Sequence, residues 1–370
     1  MRVAVIARTL YPIRPPFTGG LEAFTHALVN YLTPHCEVDL YAHESSETGA
    51  KLFSFTHNYT AVNRAGSRAS SSTSFSAGIN SSVQDPRRQS SLSEDCAAIF
   101  ENDEYLRIIR TLECKRYDVI HNNSLSPLFL LYAAQQDRPV ITTLHTPPYS
   151  ALKAAAQLAS KRHHCEFVAV SESLARQWRP FLANGCKVVH NGIDTKFWDR
   201  KRESSDYLLC YGRLVPNKGI DIALAVAHAL DLPLKIAGAR TDTNYYNSQI
   251  EPLLDSKREY VGHQSHDQIS RLYRHAKAAL FPIRWEEPFG LATVEAMAAG
   301  VPVVAFDRGA FSELIGTEEG IITPRTTVDA MCEGVQNVHR LNPDKIKARG
   351  QSFPLSKMCD RYLTLYRAAV

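Results

Sequence analysis

Three short stretches carry the residues best suited to chemistry. In "RWEEPFGLATVEAMAAG", residues 284–300, Glu287 and Glu295 stand eight positions apart around a Pro-Phe-Gly turn. Paired carboxylates suggest glycoside hydrolysis, which needs them about 5 Å apart for retention and about 6.5–9.5 Å apart for inversion. Pro288 suits a first helical turn, Ala296 to Ala299 favour helix, and Gly300 ahead of Val-Pro-Val-Val ends it. If the stretch between the glutamates is helical, eight steps rise about 12 Å, too far for a hydrolase pair. Glu287 then stands at the helix mouth and Glu295 about two turns inside. They either hold a ligand or serve as a helix-dipole partner and a solvated helix residue. Unpaired amides near Phe289, Gly290 and Leu291 would face the same space, open to a sugar hydroxyl or a phosphate.

In "CYGRLVPNKGIDIALAVAHAL", Arg213 and Lys218 lie between a strand and a helix, the place where open α/β sheets bind ligands. Singly such cations are solvated; flanking a Pro-Asn turn, the two would clamp a diphosphate. Each contact at about 4 Å contributes roughly 4 kcal/mol at an effective dielectric near 20, before desolvation. Gly19 and Gly20 precede an amphipathic helix with Leu21, Phe24, Leu28 and Leu32 on one face. Glycines there let amides approach an anion at the positive helix end, although the pair also serves as a plain tight turn and is not Gly-x-Gly-x-x-Gly. His145 closes "VITTLH" ahead of Thr-Pro-Pro, as a structural hydrogen-bonder or a site group. His263 and His266 have a metal-compatible spacing, but no cysteine is near and no Asp-x-Asp occurs, so a polar loop and no metal site are expected. Asn191-Gly192-Ile193-Asp194 reads as a turn at a hinge.

These residues need a frame. Apolar, β-branched runs at 3–7, 38–42, 118–122, 139–145, 167–171 and 187–192 alternate with amphipathic stretches, the sign of a doubly wound parallel sheet. The polar stretch 194–206 interrupts the pattern, which restarts with "YLLCYGRL", "LPLKIAG", "AALFPI", "VPVVAF" and "GIITP". The expected division is a first domain over 1–195 and a second over 196–355. In the last stretch, Met358, Tyr362, Leu365 and Tyr366 at helical spacing predict a helix over 356–370 that packs back on the first domain or bridges both. Residues 63–93, rich in serine with four arginines, predict a surface loop.

With 370 residues two domains and a cleft between them are expected. A net charge of +4 excludes a dedicated nucleic-acid binder and leaves a modest attraction for anionic ligands. Eight cysteines with no Cys-x-x-Cys pair argue against zinc and against a secreted disulfide framework, and no apolar run reaches the length of a signal core or membrane span. A cytoplasmic location follows. "YSALKAAAQLASKRHH" ends in basic residues and admits a peripheral membrane contact, against the plainer reading of a helix packed on its own sheet.

From "GGLEAF" through "HTP", "NGID" and "GRLVPNKG" to "EPFGLATVEAMAAGVPVVA", the chain resembles the retaining glycosyltransferases of sequence family 4. Their GT-B architecture sets two Rossmann-like domains face to face. The resemblance implies that Arg213 and Lys218 grip the donor diphosphate, with Gly19 and Gly20 completing the pocket. Glu295 would bind the ribose, while Glu287 and the amides of Phe289 to Leu291 hold the donor sugar. Gly262 and His263 match the segment bordering the base, and His145 a histidine near the sugar and its phosphate. Arg213, Lys218, Glu287 and His145 are thus the expected catalytic set. Two departures stand out: "DRGAFSELI" has one Gly309 ahead of Glu313, read as structural or nucleotide-proximal, and "FPIRWEEPFG" stands where Pro-Ser is commoner before the glutamate, so Arg284 and Trp285 would alter the donor pocket. The implied reaction moves a hexosyl group from a nucleotide-diphosphate sugar, uridine favoured over guanosine, to an unidentified acceptor hydroxyl without a further cofactor. The alternatives are a nucleotide-sugar epimerase of similar architecture and a non-catalytic sugar-nucleotide-binding subunit.

Overall fold

The computed structural model describes residues 1–54, 86–203 and 206–370, with backbone alone over 86–98. The apolar runs become two sheets whose strand pairs are all parallel. The first contains β1 (Arg2–Ile6), β2 (Glu37–Tyr41), β3 (Lys51–Phe53), β4 (Val119–Asn122), β5 (Val140–Leu144), β6 (Cys165–Ala169) and β7 (Lys187–Val188). The second contains β8 (Tyr207–Tyr211), β9 (Leu234–Ala237), β10 (Arg258–Tyr260), β11 (Ala276–Phe281), β12 (Val303–Phe306) and β13 (Gly320–Thr323). Strand order is β3-β2-β1-β4-β5-β6-β7 in one and β10-β9-β8-β11-β12-β13 in the other. Each order reverses direction once, between β1 and β4 and between β8 and β11. At such a switch point the flanking loops leave in opposite directions and open a crevice at the carboxyl ends of the strands.

Central strands are buried on both faces, as parallel sheets covered by helices require. The covering helices used below are α1 (Gly20–Leu32), α2 (Pro86–Glu113), α3 (Pro127–Ala133), α4 (Ser150–Ala159), α5 (Glu172–Trp178), α6 (Ile220–Ala229), α7 (His266–His275), α8 (Leu291–Ala298), α9 (Val328–Asn337), α10 (Pro343–Gln351) and α11 (Leu355–Ala369). Residues 86–93, expected in a loop, are instead the opening turns of α2. Pro86 suits a first helical position, and the helix-forming Arg87, Arg88 and Gln89 follow it. Residues 63–85 of the serine-rich stretch lie outside the described residues. The stretch read for membrane contact is α4, and its Leu152, Ala155, Ala156 and Ala159 are buried in the protein. Among the described residues no helix is long and apolar enough to cross a membrane.

Helix α11 lies on the first sheet, although it follows the second in sequence. Met358, Tyr362, Leu363 and Tyr366 share one core with Val3, Val5, Leu28 and Val119. Its polar atoms are satisfied inside that core: Tyr366 Oη meets His121 Nδ1 at 2.5 Å, His121 Nε2 meets Thr143 Oγ1 at 2.7 Å, and Tyr362 Oη lies 3.0 Å from the same hydroxyl. Burial pushes His121 down to about 3, so the ring stays neutral. The chain therefore crosses between lobes twice, and the crossings are zipped together. Ile193 N donates to Phe353 O at 3.0 Å and Leu355 N to Ile193 O at 2.8 Å, a parallel bridge between Ile193 and Pro354.

Replacing Tyr362 by alanine removes a fully buried ring and is expected to cost about 3–5 kcal/mol. Tyr362→Phe, which loses only the hydroxyl, should cost about 1 kcal/mol. Urea denaturation checks both; equal losses would mean that the ring contributes nothing by packing.

Candidate functional site

One cleft gathers the loops that follow the strands of both sheets. The first lobe contributes Arg8, Tyr11 and Gly19 after β1, Leu125 after β4, and His145 and Thr146 after β5. The second contributes Arg213 and Lys218 after β8, Ala239 after β9, His263 after β10, and residues from Ile283 to Glu295 after β11. Each group sits at a carboxyl end, so the two switch points face the same space.

The loop between β11 and α8 departs from the sequence reading. Pro288 is not in a helix; α8 begins at Leu291, behind Gly290 at φ 98°. Glu295 is therefore little more than one turn inside, and Glu287 stands ahead of the helix on an irregular turn. The 12 Å rise does not apply, because only the second half of the interval is helical. A neighbouring segment imposes the late start. Ala310 N donates to Glu287 O at 2.9 Å, and Gly309, at φ 62°, packs so tightly that a Cβ there would stand 2.1 Å from that carbonyl. With the chain held in this turn, no carbonyl among the described residues accepts from the amides of Phe289, Gly290, Leu291 or Ala292. Four donors at a helix start remain available to an anion or a hydroxyl.

Glu287 is buried beside Lys218, whose Nζ lies 2.6 Å from Oε2. Trp285 Nε1 donates to the same oxygen at 2.8 Å. Lys218 is thus the counter-ion of Glu287, which its sequence position did not reveal. Arg213 differs: among the described residues it has no ion pair or side-chain hydrogen bond, and its Nε lies 4.0 Å from where a Cβ on Gly19 would stand. On the other glycine a Cβ would meet Leu291 Cδ1 at 3.4 Å. The Gly-Gly turn of one lobe is therefore apposed to the Arg213 and Leu291 elements of the other. Arg284 does not line the cleft; Asp221 holds its guanidinium through two bonds of 2.9 and 2.6 Å.

Two carboxyls sit where water is scarce. Glu295 is buried, and desolvation pushes it up to about 8. Glu22, in the first turn of α1, is also raised by burial, against the pull of its own amide, Arg8, Arg213 and the amide of Gly19. It occupies the positive end of α1, where the sequence suggested a phosphate. His145 is neutral, because burial and the neighbouring His121 push it down to about 3. Its Nε2 donates to Asn123 Oδ1 at 3.2 Å, which leaves Nδ1 as an acceptor. The ring lies edge-on to Phe24 at 4.7 Å.

The lobes meet through few polar contacts. Glu313 reaches from the second lobe to the start of α5 in the first, accepting from Glu172 N at 2.9 Å and Ser173 N at 3.0 Å and pairing with His190 Nε2. Burial would raise this carboxyl, yet the bonds from His190 and the two amides hold it below the usual range. Ser171 Oγ donates to Pro288 O at 2.6 Å, and His263 Nε2 to Phe17 O at 3.0 Å.

Comparison with known proteins agrees with this geometry. Glycosyltransferase Family 4 matches residues 18–197, and Glycosyl transferases group 1 matches residues 193–351, so the two matches run in sequence through both lobes. The chain belongs to the family 4 glycosyltransferases. Glycogen synthase of Mycobacterium tuberculosis is 30% identical over 253 residues, 60% of this chain and 60% of the synthase. The lipopolysaccharide core biosynthesis mannosyltransferase LpsB of Rhizobium meliloti is 34% identical over 173 residues, 40% of this chain and 48% of LpsB. Among solved structures, sucrose-phosphate synthase from Thermosynechococcus elongatus superposes with a TM-score of 0.76 at 16% identity, covering 99% of this chain and 98% of that one. HepE of Anabaena, in complex with UDP-glucose, gives 0.73 at 17% identity over the whole of both chains. At these identities the likeness is one of fold, and the GT-B architecture expected from the sequence is the one observed.

In this family 4 member, Gly19, Gly20, His145, Arg213, Lys218, His263, Glu287, Phe289, Gly290, Leu291 and Glu295 all line the one cleft. Gly262 does not; its carbonyl accepts from the amide of Gly238 at 3.0 Å and so braces the adjoining turn. His263 and His266 both line the cleft, the latter lying against the rings of Phe17 and Trp198. Glu22 went unread, although the acidic residue after Gly-Gly-Leu signalled an occupied helix start.

The raised Glu295 makes a pH prediction. Its folded value, about 8, exceeds the ordinary 4.5, so between these values the folded state holds a proton that the unfolded chain has lost. Its contribution to stability is present below about pH 4.5 and fades as pH rises to about 8. Glu295→Gln lacks the titration and should gain on the wild type across that window and no further above it. Urea unfolding at pH 5 and pH 8 measures the difference; a gap independent of pH would show that Glu295 ionises normally.

Proposed function

We propose that the chain transfers a hexosyl group from a nucleotide-diphosphate sugar to an acceptor hydroxyl, with retention at the anomeric carbon. The observation carrying this reading is Arg213, which among the described residues has no ion pair or side-chain hydrogen bond, in a cleft shared with the amides of residues 289–292, which no described carbonyl accepts from, and the apposed Gly19-Gly20 turn. An anion with several oxygens, such as a diphosphate, suits that combination of a charge and directed amides.

In the proposed reaction the bond from the anomeric carbon to the diphosphate oxygen breaks, and one to the acceptor oxygen forms on the same face. The acceptor's proton passes to the departing diphosphate. Arg213 and the amides stabilise the charge that develops on the leaving group. Lys218 divides its charge between that group and Glu287, Glu295 takes the ribose hydroxyls, and His145 Nδ1 accepts from a sugar hydroxyl. His263 borders the base. No resident metal or other cofactor enters the proposal, since the chain has no Asp-x-Asp pair to carry a metal–diphosphate complex. A uridine donor is favoured because HepE, with the same fold, is solved with UDP-glucose. An epimerase of similar architecture is separated by one incubation: it alters the sugar of the donor with no acceptor present.

Arg213→Ala should lower turnover at least tenfold, by analogy with the ~10²–10³ lost when one group stabilising a developing charge is removed. The thermal midpoint should be unchanged. A thermal-shift screen over nucleoside diphosphates and their sugars supplies the donor for that assay, since a ligand at 100 times its Kd stabilises by about 2.7 kcal/mol. Near-normal turnover in the variant would refute the assignment.

A further inference from the structure

The carboxylate of Glu287 gives one oxygen wholly to the protein. Oε2 accepts from Lys218 Nζ at 2.6 Å and from Trp285 Nε1 at 2.8 Å, which occupies both of its lone pairs. Oε1 takes no hydrogen bond from the described residues. The two donors differ in what holds them. Lys218 has a flexible stem and can turn toward a bound anion. The indole is rigid, and its neighbour ties down the backbone that carries it. Arg284 N donates to Asn217 O at 2.9 Å, and its guanidinium is held by Asp221 and by Pro216 O at 3.1 Å. The turn bearing Trp285 is thereby fixed to the turn bearing Lys218, and the indole ring lies 5.5 Å from Lys218 Nζ.

We infer that Trp285 determines which donor sugars the cleft accepts, by holding Oε2 of Glu287 so that Oε1 alone reads a sugar hydroxyl. The inference rests on the nucleotide-sugar reading above. A carboxylate with two open oxygens can take a vicinal pair of hydroxyls and so detects inversion at either carbon. With one oxygen engaged by the protein, a single hydroxyl is checked, and the configuration at the adjacent carbon has little weight. Sites that hydrogen-bond a hydroxyl discriminate strongly at that position, because a missing partner leaves a buried group unpaired. The indole N–H thus narrows where the carboxylate discriminates. It is a specificity-determining group acting through Glu287.

Trp285→Phe keeps an aromatic ring beside Lys218 and removes the N–H. The measurement is kcat/KM for UDP-glucose and for its C4 epimer UDP-galactose, together with Ki for UDP, which has no sugar. In the variant the ratio should change by at least about fivefold, while Ki for UDP stays within about twofold. Trp285→His, which keeps a ring N–H, should return the ratio toward wild type and guards against a variant that fails merely by misfolding. An unchanged epimer ratio in Trp285→Phe overturns the inference, as does a Ki for UDP that moves as far as the KM for the sugars. Wild-type protein that binds neither UDP nor its sugars overturns the nucleotide-sugar reading itself, a result visible before any variant is made.

Discussion

The site exists only while two switch points face each other, and the carboxylate of Glu313 is the polar group that most directly holds them so. It satisfies two free amides at the start of α5 and pairs with His190 at the first crossing between lobes. A charge-assisted bond to amides at a helix start is among the stronger contacts available to a half-buried carboxylate. Its partners adjoin the cleft: Ser171, one residue before α5, donates to Pro288 in the loop that presents the free amides. The apposition of Gly19 with Arg213 and of Gly20 with Leu291 depends on this seam.

Within the cleft, Arg213 has no ion pair or side-chain hydrogen bond among the described residues, while Arg8 is paired with Glu101 at 3.6 Å. Lys218 and Glu287 neutralise each other, and burial favours the protonated forms of Glu22 and Glu295. His145 carries no charge near neutral pH. Arg213 stands with the dipoles of four amides in a setting of reduced dielectric, within the field of the Glu22 carboxyl. Fixed donors in such surroundings act on a developing negative charge without first reorganising, which is how a protein stabilises a leaving group.

Much of this was legible in the chain. The central strands declared themselves as largely apolar runs, because a parallel strand buried on both faces carries few polar positions, such as His121 and Thr143, which are hydrogen-bonded inside the core. The edge strands β3, "KLF", and β10, "REY", gave no such signal, being short and partly exposed. The cleft residues were readable as motifs, and the structure gathers them along one cleft. Their mutual pairing was not: that Lys218 belongs to Glu287, that Arg284 turns away to Asp221, and that Glu313 joins the lobes are all contacts across long sequence separations. The helix start was misplaced for a related reason. Pro288 favours a first turn locally, yet the approach of Gly309, far along the chain, holds residues 287–290 in another conformation.

Helix α11 brings a matter of timing. It completes the core around Val3, Val5 and Val119, yet it is translated after the whole second lobe. While a ribosome adds that lobe at roughly 5–20 residues per second, the earlier-made half waits on the order of ten seconds with an apolar face uncovered. The later half can bury its own interior first. The first lobe's core is thus completed only once α11 has been made, against the order of synthesis.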